Sequence, residues 1–346
     1  MIKSFLEVCR ANHLNCRQNV RLSAYTTIGV GGPARFFIKV KNSDELLASI
    51  RIANEFGIPF KILGNGSNVI FSDSGYSGVI IHNSGGRWEI AEHASQECGK
   101  NTPSLKIEPR GGNYPELRMK NHTKSARPVI IRADSGIRLS SLINELLRHD
   151  ISGLEWFSGI PATVGGAVYM NIHGGGNYFG NLVHRAELFA NNKLKMVSRE
   201  YFRFDYDYSI LHETGEILIR VELCLRRGNT EEPRAFMKKW MRFKSAQPQK
   251  SAGCIFQNLT AQQQQSLNLP TPSVGYFIDK VLNLKGYRLG DALISPSHAA
   301  FIENVGKATA DDIVRLIGYV IKKAKSKTGI ALKLEVELVG DFKDKI

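Results

Sequence analysis

At 346 residues, with 42% hydrophobic and 23% charged side chains, the chain is composed as a folded globular protein, which excludes a disordered polyelectrolyte. Its 46 Lys and Arg against 32 Asp and Glu give a net charge of +14, a field that draws anions such as phosphorylated small molecules, nucleic acid or an acidic membrane. Five cysteines (Cys9, Cys16, Cys98, Cys224, Cys254) form an odd set with no C-x-x-C and no Cys/His pair at metal-ligand spacing, so reduced thiols in a cytoplasmic protein, and no metal centre, are expected.

The start, "MIKSFLEVCRANHL", has no sustained apolar core and no small-residue cleavage site, and no 18 apolar residues run together, so neither export nor a membrane span is expected. "ARFFIKV" (Ala34 to Val40) predicts a strand. Asn42, with Glu45 three residues on, predicts the capped start of a helix that Gly57 ends. "IPFKIL" runs as a strand into "GNGSN", followed by "VIFS" and "GVIIHN". From about Gly85 to Pro128 the pattern becomes polar and turn-rich, which predicts an inserted surface excursion.

Regularity returns with the strand "VIIRADSG" and the helix "RLSSLINELLRHD". "RAELFA" and "KLKMVS" read as strands joined across Asn191 and Asn192. In "EILIRVELCLR", Ile217, Ile219, Val221 and Leu223 alternate as in a half-buried strand. A helix over Glu231 to Arg242 contains "MKKWMRFK", the nearest approach to a basic and aromatic nucleic-acid patch, which reads equally well as a solvated helix face. A helix around "VGYFIDKVLN", a strand-like "DALISPSHAAFIEN", a long amphipathic helix from Thr309 and a last strand "ALKLEVELVG" complete the chain.

Four segments have chemical potential. "TTIGVGGPA" and "LGNGSN" are glycine-rich, and glycines at positive φ leave successive amides uncovered for phosphate oxygens; each alone reads equally as a turn. "SGIPATVGGAVYMN" lets backbone lie against a flat ring, although close packing of a loop and helix start is the simpler reading. In "SAGCIFQN", Cys254 follows Ala252 and Gly253 with little shielding bulk, although a lone thiol is more commonly structural. Alternation in "LEVELVG" sends Leu334, Val336 and Leu338 to one face and Glu335 and Glu337 to the other.

In this order "TIGVGGPA", "LGNGSNVIFSDSGYSGVII", "GIPATVGGAVYMN", "SAGCIFQN", the stretch from "GYFIDKVLN" to "DDIVRLI", and "GIALKLEVELVG" resemble the UDP-N-acetylenolpyruvoylglucosamine reductase family, the MurB-type flavoenzymes of peptidoglycan precursor synthesis. The resemblance covers nearly the whole chain outside residues 86–127. It implies an α+β fold, in which a two-domain FAD-binding module of the vanillyl-alcohol-oxidase/MurB type is joined to a C-terminal α+β substrate-binding domain. The blocks would be 1–85 (FAD-binding subdomain 1), 86–127 (insertion), 128–242 (FAD-binding subdomain 2) and 243–346 (substrate-binding, with Glu335 on its last strand).

The family's chemistry passes a hydride from NADPH to FAD, and from there to the methylene carbon of UDP-N-acetylglucosamine enolpyruvate, giving UDP-N-acetylmuramate. By resemblance Gly64, Asn65, Gly66, Ser67 and Asn68 would cradle the FAD pyrophosphate, and Gly165, Gly166 and Ala167 would lie by the isoalloxazine. Cys254 aligns with the proton donor, usually serine; a thiol near pKa 8.5 gives up its proton more readily than a hydroxyl. Glu335 aligns with the acidic residue that works with the enolate carboxyl. Asn258 would meet the diphosphate with Lys244 and Arg242 as neighbours, and Tyr206 stands at the tyrosine of the family's YR-x-S motif.

Two departures stand out. Asp207 occupies the position of the family arginine, with Arg203 and Arg185 as candidate replacements, and "MNIHGGGNYFG" brings in His173, which reads as a source of positive charge or equally as a solvent-facing histidine in a Gly-rich loop. The implied partner is a UDP-sugar, with no nucleic acid and no membrane, acting on a cytoplasmic monomer. The rival readings are a flavin-dependent oxidase or dehydrogenase of another sugar, and a non-catalytic nucleotide-binding protein on the same fold.

Overall fold

Segments of apolar and β-branched residues bounded by glycine build the first part of the computed structural model, which describes residues 2–91, 98 and 126–342. After helix α1 (Ile2–Ala11) come strands β1 (Asn15–Arg21) and β2 (Pro33–Val40), helix α2 (Ser43–Glu55), and strands β3 (Phe60–Leu63), β4 (Val69–Phe71) and β5 (Tyr76–Asn83). Four of these strands form a sheet of order β1-β2-β5-β3. The start of α2 is closed reciprocally: Asn42 Oδ1 accepts the Glu45 N–H at 2.8 Å, and Glu45 Oε2 accepts the Lys41 N–H at 2.9 Å. Gly57 follows the helix at φ +61, where a side chain is disfavoured.

The chain divides into two compact units, one of Met1–Cys16, Ile38–Gly64 and Ile81–Ser245, the other of Arg17–Phe37, Asn65–Ile80 and Ala246–Ile346. They are not consecutive blocks: the segment 1–85 contributes to both, because the division falls inside β1, β2 and β5.

The first unit is built on a sheet in which strands 193–198, 183–190, 217–227, β7 (Arg127–Asp134) and β6 (Trp88–Ile90) lie side by side, antiparallel where paired. Asn191 and Asn192 both sit at positive φ (49° and 61°), the geometry of a tight hairpin turn, which joins strands 183–190 and 193–198 with Ala190 opposite Lys193. Leu139, Leu142, Ile143, Leu146 and Leu147 of helix Leu139–Arg148 are buried in one core with Val221, Leu223 and Leu225. Each such side chain contributes about 1.5–3 kcal/mol when fully buried.

Two expectations change here. The strand 217–227 is buried on both faces, because Glu222 and Cys224 are covered too, Glu222 by Arg132 and Arg185 and Cys224 by Cys98 and Ile130. The excursion expected from residue 86 begins later, since Trp88–Ile90 extends the sheet by pairing with β7 and Glu89 bonds Arg132 across it. At the other end, Arg127 already belongs to β7, and the rest of that stretch, apart from Ala91, Cys98 and Ala126, lies outside the described residues.

In the second unit, strands 251–254, 301–304, 292–294 and 288–289 form a four-stranded sheet, and residues 337–339 pair in parallel with β4. The helix Ala310–Thr328 begins at Thr309 with a capping box to Asp312. Both oxygens of Asp73 add bonds to the amides of Ala310 and Asp311, at 3.0 and 2.9 Å. Its buried residues join Ile28, Val30, Ile70, Ile255 and Phe256 in one core.

The predicted helix "VGYFIDKVLN" is a single α turn followed by a π-helical stretch at Phe277–Val281, marked by the Leu282 N–H bonding the Phe277 carbonyl five residues back. The predicted last strand is regular only over Glu337–Val339, because the chain changes partner: residues 333–335 lie along 255–257, and residues 337–339 along β4.

Candidate active site

That change of partner places Glu335. Its N–H bonds the Ile255 carbonyl at 2.9 Å, its carbonyl accepts Asn68 Nδ2 at 3.1 Å, and the Glu337 N–H returns to the Asn68 carbonyl at 3.1 Å. The "SAGCIFQN" segment, the end of the glycine loop and the glutamate are therefore fastened together in one unit by backbone bonds. Glu335 is half-buried and Glu337 exposed, so the alternation that grouped them does not make them equivalent.

Cys254 is positioned by a bulge. Ser251 pairs with Glu303 and Cys254 with Phe301, so strand 251–254 carries one residue more than its partner. Gly253 takes the left-handed conformation (φ +74), and a Cβ there would meet only the Ser67 carbonyl, at 3.8 Å. Such a bulge bends the strand and re-aims the next side chain. Cys254 is half-buried against the second unit's core.

The loop 65–68 tests whether a diphosphate fits. Gly66 has φ +64 between neighbours at negative φ, the alternation from which anion-binding nests are made. Its carbonyl accepts the Thr27 N–H at 3.0 Å, and the Thr27 hydroxyl donates to the Ser251 carbonyl at 2.6 Å, which ties the loop to the base of the Cys254 strand. The backbone amides of Asn65, Gly66 and Ser67 donate to no other described residue. Consecutive donors without an acceptor among the described residues suit a diphosphate such as that of FAD. By contrast, the glycines of "TTIGVGGPA" are explained by packing: a Cβ on Gly32 would lie 2.1 Å from the Asp73 carbonyl oxygen, and one on Gly31 3.0 Å from Phe71 Cβ.

In the first unit, Gly64 backs onto the hydroxyl of Thr163, where a Cβ would come within 2.6 Å. That hydroxyl caps the short helix Val164–Tyr169 by accepting the Gly166 N–H at 3.2 Å. The Gly165 N–H is taken by the Ser135 carbonyl at 2.7 Å and the Ala167 N–H by the Thr163 carbonyl at 2.8 Å. These three residues thus offer a low surface rather than donors. Ala167 is fully buried in the first unit's core, so only Gly165 and Gly166 present a face.

Other predicted residues are separated by helix geometry. Arg242 and Lys244 stand about 200° apart around helix Glu231–Lys244. Lys244 lies along Gly159 and over the Trp240 ring, while Arg242 is exposed, so the two do not form one cationic pair. Asn258 uses its Oδ1 to accept the Val274 N–H at 3.0 Å, which fixes the amide's orientation.

Arg185 is no substitute for the family arginine, because Glu222 holds its guanidinium at 2.6 Å. Arg203 is exposed at φ +46. His173 Nδ1 sits 3.4 Å from Asp207 Oδ1 beside the Tyr206 ring, with centroids 5.3 Å apart. The His173 ring is therefore turned to the buried Asp207 carboxyl. Thr27, Thr163 and Ser135 were not singled out from sequence. A threonine one residue before a helix start is a readable cap at 163, but the pairing of Thr27 with Ser251 spans 224 positions and leaves no local signal.

Among the described residues no group of three His, Cys, Asp or Glu could hold a metal ion, and no helix is long and apolar enough to cross a membrane.

A glycine loop with uncommitted amides on an α+β frame suits a nucleotide cofactor, and the comparisons make the class specific. Residues 34–97 and 116–192 match the FAD binding domain, and residues 246–339 match the C-terminal domain of UDP-N-acetylenolpyruvoylglucosamine reductase. Over 339 residues the chain is 32% identical to the UDP-N-acetylenolpyruvoylglucosamine reductase of Anoxybacillus flavithermus, covering 96% of this chain and 97% of that one. It is likewise 32% identical over 330 residues to that of Caldanaerobacter subterraneus, covering 93% of each. The crystal structure of the Thermus caldophilus reductase superposes with a TM-score of 0.67 at 31% identity, over 94% of this chain and 99% of that one. The chain belongs to the UDP-N-acetylenolpyruvoylglucosamine reductase family.

Proposed function

We propose that this protein is an FAD-dependent reductase that uses NADPH to convert UDP-N-acetylglucosamine enolpyruvate into UDP-N-acetylmuramate, a step of peptidoglycan precursor synthesis in the cytoplasm. The observation that carries the reading is the fastening of Cys254, Glu335 and the 65–68 loop into one backbone-bonded cluster. When bound, FAD supplies the hydride chemistry, accepting from NADPH and delivering to the enolpyruvyl methylene carbon.

The chain's own residues do the rest. The amides of Asn65, Gly66 and Ser67 hold the cofactor's diphosphate, and Gly165 and Gly166 leave room for a flat ring. Hydride addition leaves an enolate whose central carbon needs a proton; Cys254 donates it, and the thiolate is reprotonated from solvent. Glu335 works with the substrate carboxyl to disperse the enolate's charge. Lys244, Asn258 and Tyr206 are assigned to the UDP-sugar.

Asp207 favours a second reading, a flavin-dependent oxidase or dehydrogenase of another sugar, since a buried acid stands where the family carries an arginine. Anaerobic assay with NADPH and the enolpyruvyl substrate, beside a panel of sugar alcohols, separates the two. Formation of UDP-N-acetylmuramate with stoichiometric NADPH loss is expected. Purified protein that binds no flavin, or oxidation of a sugar alcohol in place of enolpyruvyl reduction, overturns the assignment.

A further inference from the structure

The register between β7 and strand 217–227 ends in two like charges. Passing outward from the middle of the sheet, Ile131 lies opposite Leu223, Val129 opposite Leu225 and Arg127 opposite Arg227. The first two pairs are buried in the first unit's core, so the arginines continue that face past its edge, where both are exposed. Residues directly opposite in an antiparallel pair hold their Cβ atoms about 4.5–5.5 Å apart, and like charges there repel. No acceptor among the described residues takes either guanidinium. A third arginine lines the same cleft, of about 670 Å³. Arg234, in helix Glu231–Lys244, gives its Nε–H to the Thr230 hydroxyl at 3.2 Å and an Nη2–H to the Leu147 carbonyl, which fixes the group and leaves Nη1 uncommitted among the described residues. Thr230 is buried, and its hydroxyl holds the arginine instead of capping the helix. The acids of the cleft, Asp150 and Glu231, are occupied elsewhere: Asp150 Oδ1 meets the Thr230 hydroxyl at 3.5 Å, and Glu231 Oε2 takes Asn229 Nδ2 at 3.4 Å. No aromatic or aliphatic side chain lines the cleft, so neither a nucleobase nor an acyl chain finds a surface to pack on.

We propose that this cleft binds a small phosphorylated anion through its phosphate oxygens, with Arg127 and Arg227 reaching it from the two strands and Arg234 from the helix. Guanidinium forks match the spacing of phosphate oxygens, so neighbouring arginines offer paired bonds that a lysine, a point charge, does not. Bound anion also relieves the repulsion between the strand ends, so ligand and fold stabilise each other. The cleft has no residue in common with the 65–68 loop, Cys254 or Glu335.

The full-length protein, in saturating FAD to keep the 65–68 loop occupied, is titrated in a calorimeter at low salt with inorganic diphosphate. Two further probes, β-glycerophosphate and a fluorescent single-stranded oligonucleotide, are run beside it. Saturable diphosphate binding that weakens as salt is raised is expected. Arg127→Gln and Arg227→Gln should each weaken it ~10-fold or more, the worth of one charge-assisted bond, and should lose the rise in melting temperature that diphosphate gives the wild type. Both positions are exposed, so without ligand these variants should melt no lower than the wild type, a repelling charge being gone. Arg315→Gln, exposed on helix Ala310–Thr328, removes the same net charge and should leave binding intact. Tighter binding of diphosphate upholds the site for the free anion, and tighter binding of β-glycerophosphate upholds it for a phosphate ester. The site is overturned if Arg127→Gln and Arg227→Gln bind diphosphate as the wild type does or melt lower without it. It is equally overturned if Arg315→Gln weakens binding as much, if the oligonucleotide alone binds, or if the wild type binds none of the three probes.

Discussion

Gly66→Ala tests the anion cradle directly, and Gly57→Ala is its internal control. Both glycines sit in the left-handed region, at φ +64 and +61, so both substitutions carry the cost of placing an L side chain there, about 1–2 kcal/mol. They differ in surroundings. A Cβ on Gly57 meets nothing within 4 Å, whereas one on Gly66 would lie 2.0 Å from the Tyr25 carbonyl oxygen and 2.9 Å from Thr26 Cα, more than an ångström short of ordinary contact at the oxygen. Relieving that overlap adds a further ~1–3 kcal/mol.

The relief must displace the loop, and with it the amides of Asn65, Gly66 and Ser67. Losing one charge-assisted bond costs about 1.5–3 kcal/mol, so FAD should bind roughly 10–100-fold more weakly in Gly66→Ala and unchanged in Gly57→Ala. Urea unfolding of the flavin-free proteins measures the first difference, and flavin fluorescence titration the second. Equal destabilisation of the two variants, or full FAD affinity in Gly66→Ala, refutes the loop as the diphosphate cradle.

Cys254→Ala should keep NADPH-driven flavin reduction in stopped flow yet lose at least 100-fold in product formation, about the contribution of one proton donor, while Cys254→Ser retains much of it; wild-type turnover in Cys254→Ala removes the thiol from the mechanism. Glu155 is fully buried, and desolvation raises its pKa against the opposing bond from the Gly153 N–H. Its stabilising contribution is therefore complete below about pH 4.3 and lost as pH rises through the folded value, so Glu155→Gln should gain on the wild type between acid and neutral pH in urea melts. Glu222 runs the other way: burial pushes its pKa up, but bonds from Arg185 and Arg132 outweigh that and lower it. Its contribution is present above about pH 4.3 and lost on acidification, and Glu222→Gln should cost ~1–3 kcal/mol at pH 7, because both arginines are partly exposed. Deleting residues 86–127 should lower stability by about 2–3 kcal/mol in the same melts, since strand β6 goes with them, whereas a cut starting after Ala91 and ending before Ala126 spares that pairing.

Local chemistry was legible where it is written in neighbouring residues. Asn42 with Glu45, Thr309 before its helix and the Asn191–Asn192 turn each specify their geometry within a few positions, because caps and turns are bonds between residues close in sequence. Ordered motifs carried the family, and with it Cys254, Glu335 and the glycine loop as candidates. Other outcomes depended on partners far away in the chain. Burial on both faces of strand 217–227 came from Arg132 and Arg185 covering Glu222. The pairing of Trp88–Ile90 required β7, some 40 residues on, and Ala167 faced the core only once that core had formed.

His173 read from sequence as either a cation or a water-facing loop histidine and instead meets Asp207, a pairing that a linear spacing of 34 positions does not announce. Thus the sequence by itself determined the elements whose signals are local, their caps and the residue types available for chemistry. The tertiary structure decided which of those residues lie near one another, because a half-buried thiol, a glutamate and a row of amides are brought together only when the last strand leaves residues 255–257 for β4.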